Sequence, residues 1–105
     1  MGEESTILLG KNMELSGFKY LDDSTRIIVR KIVGNHVKKM SNVVGDFEKL
    51  SLNLKDIHKT ENAQKYQING KLEINGKLYN SEVTDFNLFF ALSSVLDKLF
   101  EEAKR

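Results

Sequence analysis

Apolar residues along this chain recur with two different periods, which separate predicted helices from predicted strands. Between Asp22 and Gly45 they recur every three or four residues, as on one face of an α-helix. A second stripe with this spacing follows Asp85. The pattern therefore predicts two amphipathic helices. Their stripes are Val29, Ile32, Val33, His36, Val37 and Met40 in the first helix, and Leu88, Leu92, Val95, Leu96, Leu99 and Ala103 in the second.

Four other segments alternate apolar and polar residues, the pattern of strands with one buried face. The first is Met13 to Phe18, the second Phe47 to His58 and the third Lys65 to Ile74, while the fourth follows the pair Asn75-Gly76. Asn-Gly favours a two-residue type I′ hairpin turn, because both residues tolerate positive φ. Such a turn fixes the register of the two strands it joins. The predicted pairs are Ile74 with Lys77, Leu72 with Tyr79, Gly70 with Ser81 and Ile68 with Val83.

This order of elements predicts an α+β fold of the form β-α-β-β-β-α. The strand–helix–strand start favours a parallel crossover, and the later strands favour an antiparallel meander. Each strand has one apolar face, so both helices are expected on the same face of a four-stranded sheet. Residues 13–105 are expected to form a single domain. Residues 1–12 are interpreted as an N-terminal extension, either a frayed tail or an extra edge strand.

Several side chains have a predicted structural role within these elements. Lys38 and Lys39 are placed in the last turn of the first helix, where they would complement its negative end. Gly34 is expected to mark a close approach to the sheet or to the other helix, and Gly70 to leave room for a side chain above it. Thr84 or Asp85 is expected to cap the second helix. The phenylalanines near that helix are interpreted as core: Phe86, Phe89, Phe90 and Phe100.

The positive charge of the chain is concentrated in the first helix. The 105 residues have a formal net charge of +1, but the six basic and two acidic residues from Lys19 to Gly45 give that segment +4. No acidic residue stands between Asp23 and Asp46. Such a one-signed surface indicates a phosphate backbone as partner. The plainer interpretation is a solvated helix face with counter-charges elsewhere in the fold. The basic residues between the two aspartates are Arg26, Arg30, Lys31, Lys38 and Lys39.

The sequence gives little indication of an enzyme, a metal site or a bound cofactor. Cysteine is absent, which fits a cytoplasmic protein and excludes thiolate chemistry. His36 lies in an apolar stripe, where a core or boundary role is favoured. His58 and Asp56 could act as a base and its orienting carboxylate, but no nucleophile is placed beside them. We therefore expect a non-enzymatic protein without cofactor or metal. No apolar run is long enough to cross a membrane.

The last third of the chain resembles the ribosome hibernation factors, the family of hibernation-promoting factor and ribosome-associated inhibitor A. In that family a strand, an Asn-Gly-like turn and a second strand precede a helix that opens with an acidic residue. Leu15-Ser16-Gly17 also matches a strand that ends in a small residue and glycine, followed by a basic helix. The matching residues of the helix are Asp85, Ala91, Leu92, Leu96, Asp97, Lys98 and Leu99.

The resemblance implies a small cytoplasmic protein that binds the small ribosomal subunit between head and body and occludes the mRNA channel and tRNA sites. It implies no small-molecule substrate and no membrane. Glu101 and Glu102 stand where many members have a basic tail. A second hypothesis is therefore a domain used for protein contacts, for example a homodimer through a sheet edge or through Ile7 to Leu9. The rRNA contacts implied by the resemblance are Arg26, Arg30, Lys31, Lys38, Lys39 and Lys98.

Overall fold

The predicted fold class is confirmed by the computed structural model, which describes residues 6–8, 12–59 and 64–104. Strands β2 to β5 and the two helices follow the order β-α-β-β-β-α, and a short strand, β1, precedes them. The elements are β1 (Thr6–Leu8), β2 (Met13–Ser16), α1 (Asp23–Val44), β3 (Lys49–Lys59), β4 (Gln64–Ile74), β5 (Lys77–Asp85) and α2 (Leu88–Lys104).

The strands form one mixed sheet in the order β1-β2-β3-β4-β5. The neighbours β2 and β3 are parallel and are joined through α1, as the crossover pattern predicted. All other neighbouring pairs are antiparallel. Strand β1 therefore adds a fifth strand beside β2, and β5 forms the opposite edge of the sheet. Since β2, β3 and β5 run in one direction, both helices begin at the same end of the sheet.

The hairpin between β4 and β5 turns at Asn75 and Gly76, with φ angles of 53° and 75°. All four predicted residue pairs are found, from Ile74 with Lys77 to Ile68 with Val83, so the predicted register is confirmed. The Glu48 carboxylate accepts hydrogen bonds from the backbone N–H groups of Asn75 (3.0 Å) and Gly76 (3.2 Å). A residue before β3 therefore holds a turn that the sequence already favours.

One hydrophobic core lies between the sheet and the helices. Leu52, Ile68, Leu92 and Leu96, which lie on the apolar faces of their strands and helix, are all buried in it. Gly70 is buried below α2, and a Cβ atom there would lie 2.8 Å from Leu99 Cδ1 and 3.2 Å from Leu52 Cδ2. The expectation that Gly70 makes room for a side chain is thus confirmed. Helix α2 lies over β4 and β5, and α1 packs beside it.

The ends of the helices correct several expectations from the sequence. Asp22 caps α1 by accepting a hydrogen bond from the Thr25 backbone N–H (3.0 Å). The helix continues to Val44, so Lys38 and Lys39 are not in its last turn and the prediction that they complement its end was wrong. The cap of α2 is Asn87, whose Oδ1 accepts from the Phe90 N–H (3.0 Å). Neither Thr84 nor Asp85 caps this helix, because it begins at Leu88.

Gly17 connects β2 to the turn before α1, with φ of +82°. A Cβ atom at this position would also collide with the Leu54 carbonyl oxygen of the neighbouring strand. Both constraints require glycine, since other residues rarely adopt positive φ and all of them carry a Cβ atom. The next residue, Phe18, is fully buried in the core.

Candidate nucleic-acid interface on the first helix

Basic side chains are spread over the solvent-facing side of α1. An α-helix turns about 100° per residue, so Lys31 and Lys38, seven residues apart, lie on one stripe opposite the buried Val33. Arg30 and Lys39 are nine residues apart and therefore lie about 180° from each other, on the two flanks of this stripe. The four side chains together cover roughly the outer half of the helix. All four are exposed.

Among the described residues, no carboxylate lies within ion-pair distance of Arg30, Lys31, Lys38 or Lys39. Their charges are therefore available to an external anion. Ile27 and Ile28 precede these cations by about one turn and are also exposed, at 53% and 42%. This surface, which we term the α1 cationic face, combines positive charge with apolar side chains that the core does not use.

Arg26 differs from the other four basic residues of α1. Its guanidinium forms an ion pair with Asp23, one turn earlier, and its side chain is only partly exposed. The sequence placed Arg26 among the candidate phosphate contacts, but its charge is already paired within α1. Hydrogen bonds from Thr25 also lower the pKa of the neighbouring Asp22 below its ordinary value. Two carboxylates thus lie at the start of α1, and the free cations begin at Arg30.

Lys98 lies apart from the α1 cationic face. It is exposed on α2 and lines a shallow depression against β5. Carboxylates dominate this depression, so the local potential is not positive. The structure therefore does not bring Lys98 together with the cations of α1. The other residues that line the depression are Asn80, Ser81, Glu82, Asp97, Glu101 and Glu102.

His36 of α1 forms a contact between the two helices. Its Nδ1 lies 2.9 Å from the Ile32 carbonyl oxygen, and its Nε2 lies 3.2 Å from Asp97 Oδ1 on α2. The imidazole ring also packs near the Phe100 ring, with centroids 6.2 Å apart. Both ring nitrogens thus face protein oxygen atoms. This arrangement agrees with the predicted boundary role of His36.

Two phenylalanines that the sequence placed in the core are at the surface. Phe86 and Phe90 are 59% and 58% exposed, whereas Phe89 and Phe100 are partly buried against the core. The Lys65 ammonium lies 5.3 Å from the centre of the Phe86 ring. Phe86 precedes α2, at the end of the sheet where both helices begin. An exposed aromatic ring beside a cation can stack on a nucleobase. The helical wheel could have indicated that Phe90 is exposed, because Phe90 lies on the opposite side of α2 from the buried Leu92.

The sheet face opposite the helices is polar and slightly concave. The open depression on this face has a volume of about 790 Å³. Glu14 lies on this face, where it accepts a hydrogen bond from Ser51 Oγ (3.2 Å) and lies 3.4 Å from Lys49 Nζ. Lys71 and Glu73 on β4 add one charge of each sign. Since this face carries both positive and negative side chains, it offers no uniformly positive surface to a polyanion.

Over residues 12–55 and 64–104, no three histidine or acidic side chains are close enough to hold a metal ion. The side chains of His58 and Asp56 lie outside the described part of the chain, so their interpretation as base and orienter stays a prediction. Within the described residues, neither helix is both long enough and apolar enough to span a membrane.

The fold is that of a small α+β domain in which two helices cover one face of a mixed sheet. A solved structure of this class is the N-terminal domain of Protein Y from Thermus thermophilus. The two chains superpose with a TM-score of 0.61 and 21% sequence identity, over 80% of this chain and 83% of the Thermus chain. This similarity shows a shared fold. No family model and no curated protein sequence matches the chain.

Proposed function

We propose that this protein is a cytoplasmic, non-catalytic ribosome-binding factor. It occupies the mRNA and tRNA channel of the small subunit and inhibits translation in idle cells. The proposal is supported by the resemblance of the sequence to the hibernation factors and by a fold similar to that of the N-terminal domain of Protein Y. The observation that carries it is the α1 cationic face.

The charge distribution favours a polyanion on α1 over one at other surfaces of the described molecule. On α1, no described carboxylate pairs with the four cations Arg30, Lys31, Lys38 and Lys39. The open sheet face and the depression around Lys98, by contrast, contain carboxylates. Binding of rRNA phosphates by such a surface releases condensed counterions, which favours binding and makes the affinity fall as the salt concentration rises. Arg26 and Lys98 contribute less in this proposal, because each lies among acidic groups.

The inhibition is steric and requires no chemical step. Contacts between α1 and rRNA phosphates hold the folded domain in the subunit, and the body of the domain then excludes mRNA and tRNA. The phosphate contacts position the protein without reading base sequence. Phe86 and Lys65 offer an additional contact to an unpaired base at the end of the sheet where the helices begin.

Co-sedimentation of the protein with purified small subunits tests the proposal across a series of salt concentrations. Replacing Arg30 and Lys31 together by glutamine should weaken binding and flatten its dependence on salt. Each lost phosphate contact removes about 0.7 to 0.9 from the logarithmic salt slope of simple nucleic acids. The thermal midpoint should change little, since both side chains are exposed and make no ion pair within the described chain.

The double variant Lys55→Gln and Lys71→Gln is the matched control. It removes the same charge from exposed positions on the open sheet face. Binding of this control should keep the wild-type salt slope. If both double variants weaken binding to the same extent, net charge and not the α1 cationic face governs binding. If neither weakens binding, the second hypothesis, a domain for protein contacts without ribosome binding, takes the lead.

A further inference from the structure

The same five residues, Ile-Asn-Gly-Lys-Leu, occur twice in this chain, at 68–72 and 74–78. The first copy lies within β4, and the second spans the turn between β4 and β5. Asparagine followed by glycine is the pair most prone to spontaneous deamidation, because glycine has no Cβ atom to shield its backbone nitrogen. The chain therefore presents one reactive sequence in two different structural settings.

We propose that Asn75 is a site of spontaneous deamidation, that the sheet protects Asn69, and that Glu48 sets the rate at Asn75. In this reaction the Gly76 backbone nitrogen gives its proton to hydroxide and attacks Cγ of Asn75. The new N–Cγ bond closes a cyclic imide, the Cγ–Nδ2 bond breaks, and the departing group takes a proton from water and leaves as ammonia. Water then opens the imide. Opening at Cγ yields aspartate, and opening at the backbone carbonyl carbon yields isoaspartate.

The turn gives water access to Asn75 but does not hold it in the reactive geometry. Asn75 and Gly76 are exposed, and a Cβ atom on Gly76 would have no described atom within 4 Å. Their positive φ angles define a type I′ turn. Such a turn holds ψ of its first central residue near about +30°, which turns the next nitrogen away from the side chain of that residue. The attack therefore requires the peptide group between Asn75 and Gly76 to rotate, so its rate depends on how often the turn opens.

Glu48 opposes this rotation. Its carboxylate accepts hydrogen bonds from the N–H groups of both turn residues, Asn75 (3.0 Å) and Gly76 (3.2 Å). Successive N–H groups in a turn form a concavity that suits an anion. The backbone N–H of Glu48 in turn donates to the Glu73 carbonyl oxygen (2.8 Å), which fixes residue 48 beside the end of β4. Bringing the Gly76 nitrogen toward Cγ breaks its bond to Glu48, so this carboxylate slows the reaction.

The peptide group between Asn69 and Gly70 is held more firmly. Gly70 is buried and lies between Leu52 and Ser81 of the two neighbouring strands. Counting by twos from the turn makes Gly70 and Ser81 a hydrogen-bonded pair, while Asn69 bonds to Asn53 on the other side. Rotation here must separate β4 from both neighbours. Central strands open at a free energy close to that of global unfolding, whereas turns open at a lower one.

Peptide mapping by mass spectrometry compares the two sites in one sample. Trypsin cleaves after Lys65, Lys71 and Lys77, so residues 66–71 and 72–77 form separate peptides with one Asn-Gly pair each. In the folded chain, kept in mildly alkaline buffer, Asn75 should convert at least about tenfold faster than Asn69. This factor corresponds to about 1.4 kcal/mol in the free energy of opening. In urea both should convert at similar rates, because their immediate neighbours are identical.

Glu48→Ala tests the role of the carboxylate. Conversion of Asn75 should become about two- to tenfold faster, the effect of one lost hydrogen bond, while Asn69 in the same sample should keep its rate. Glu102→Ala is the matched control. It removes an exposed carboxylate from α2 and should leave both rates unchanged.

The reaction should weaken the hairpin. Isoaspartate adds one carbon atom to the main chain inside a two-residue turn, so the type I′ geometry that fixes the register of β4 and β5 is lost. The deamidated chain carries one more negative charge and can be separated by anion exchange. Its isoaspartyl form should unfold at a lower temperature than the unreacted chain, and an unchanged midpoint would contradict this consequence.

Two results would overturn the proposed site. One is equal conversion of Asn69 and Asn75 in the folded chain. The other is an Asn75 that stays intact in the folded chain for as long as the chain in urea needs to convert both. Glu48→Ala that accelerates neither site, or both alike, would overturn the role of Glu48. All of these measurements use the chain without ribosomes, so they are independent of the proposed function.

Discussion

The two helices cover the same face of the sheet but use their side chains differently. Helix α2 has 17 residues and buries six of them, from Leu88 to Leu99, under which β4 and β5 lie. Helix α1 has 22 residues and buries only Val29, Val33 and Met40. The longer helix thus contributes less to the core. Much of its length is available for a purpose other than folding, and this is where the unpaired cations lie.

The charges of the two helices sharpen this difference. On α2, Lys104 forms an ion pair with Glu101 (3.2 Å), and Asp97 contacts His36 of α1. These charges are used inside the molecule. On α1, Arg30 and the three lysines of the cationic face have no counter-charge among the described residues. The comparison shows that α2 supports the fold, and it is the exposed, unpaired cations of α1 to which the proposed function assigns binding.

The largest expected effect is a loss of stability from truncation in α2. Leu92 is fully buried, so Leu92→Ala removes apolar contacts and leaves a cavity. We expect the free energy of unfolding to fall by about 2 to 5 kcal/mol, as measured from the denaturant midpoint. Ile27→Ala in α1 is the comparison, and it should change stability by only about 0.5 kcal/mol since this side chain is exposed. Similar losses at both positions would contradict the division between the helices.

A smaller effect is expected where α2 contacts the sheet through Gly70. The added methyl group of Gly70→Ala would lie 2.8 Å from Leu99 Cδ1, so Leu99 or the whole helix must shift. Overpacking of this kind costs about 1 to 3 kcal/mol. Thermal unfolding followed by circular dichroism should show a lower midpoint. The variant Gly70→Ala with Leu99→Val should recover part of the loss; no recovery would place the strain elsewhere.

Local signals explain which parts of the fold could be predicted from the sequence. The turn at Asn75-Gly76 depends on the backbone preferences of two residues, and the register of β4 and β5 follows from it. The stripe from Leu88 to Leu99 likewise shows which side of α2 is buried. At these two features one local rule decided the outcome, and the prediction agreed with the structure.

Predictions that depended on the exact end of an element or on distant contacts were less successful. Three polar residues near the start of α2 could each cap it, and Asn87 does so because the helix begins later than expected. The prediction of a core position for Phe86 and Phe90 rested on residue type alone. The helical wheel could have indicated the exposure of Phe90, whereas only the fold decides that of Phe86. Lys98 has acidic neighbours on α2 itself, and it also acquires Glu82 from β5, which no spacing within the helix reveals. Arg26 is different, because its partner Asp23 lies only one turn away.

The smallest expected effect concerns Gly34, for which the sequence predicted a close contact with the sheet or α2. That prediction was wrong, because Gly34 is exposed. A Cβ atom at this position would have no described atom within 4 Å, apart from the neighbouring backbone of α1 itself. Glycine within a helix costs about 1 kcal/mol relative to alanine. Gly34→Ala should therefore raise the free energy of unfolding by about this amount, opposite in sign to Gly70→Ala.

Gly34 also offers the finest test of what α1 does. Its neighbours on the helix surface are Arg30, Lys31 and Lys38, so it forms bare backbone among three cations. Such a position permits close approach of a ligand. Gly34→Gln should stabilise the helix and yet weaken co-sedimentation with small subunits, because its side chain covers that backbone. The salt slope should stay at the wild-type value, since no charge is lost. Unweakened binding with raised stability would place the rRNA contact away from the middle of α1.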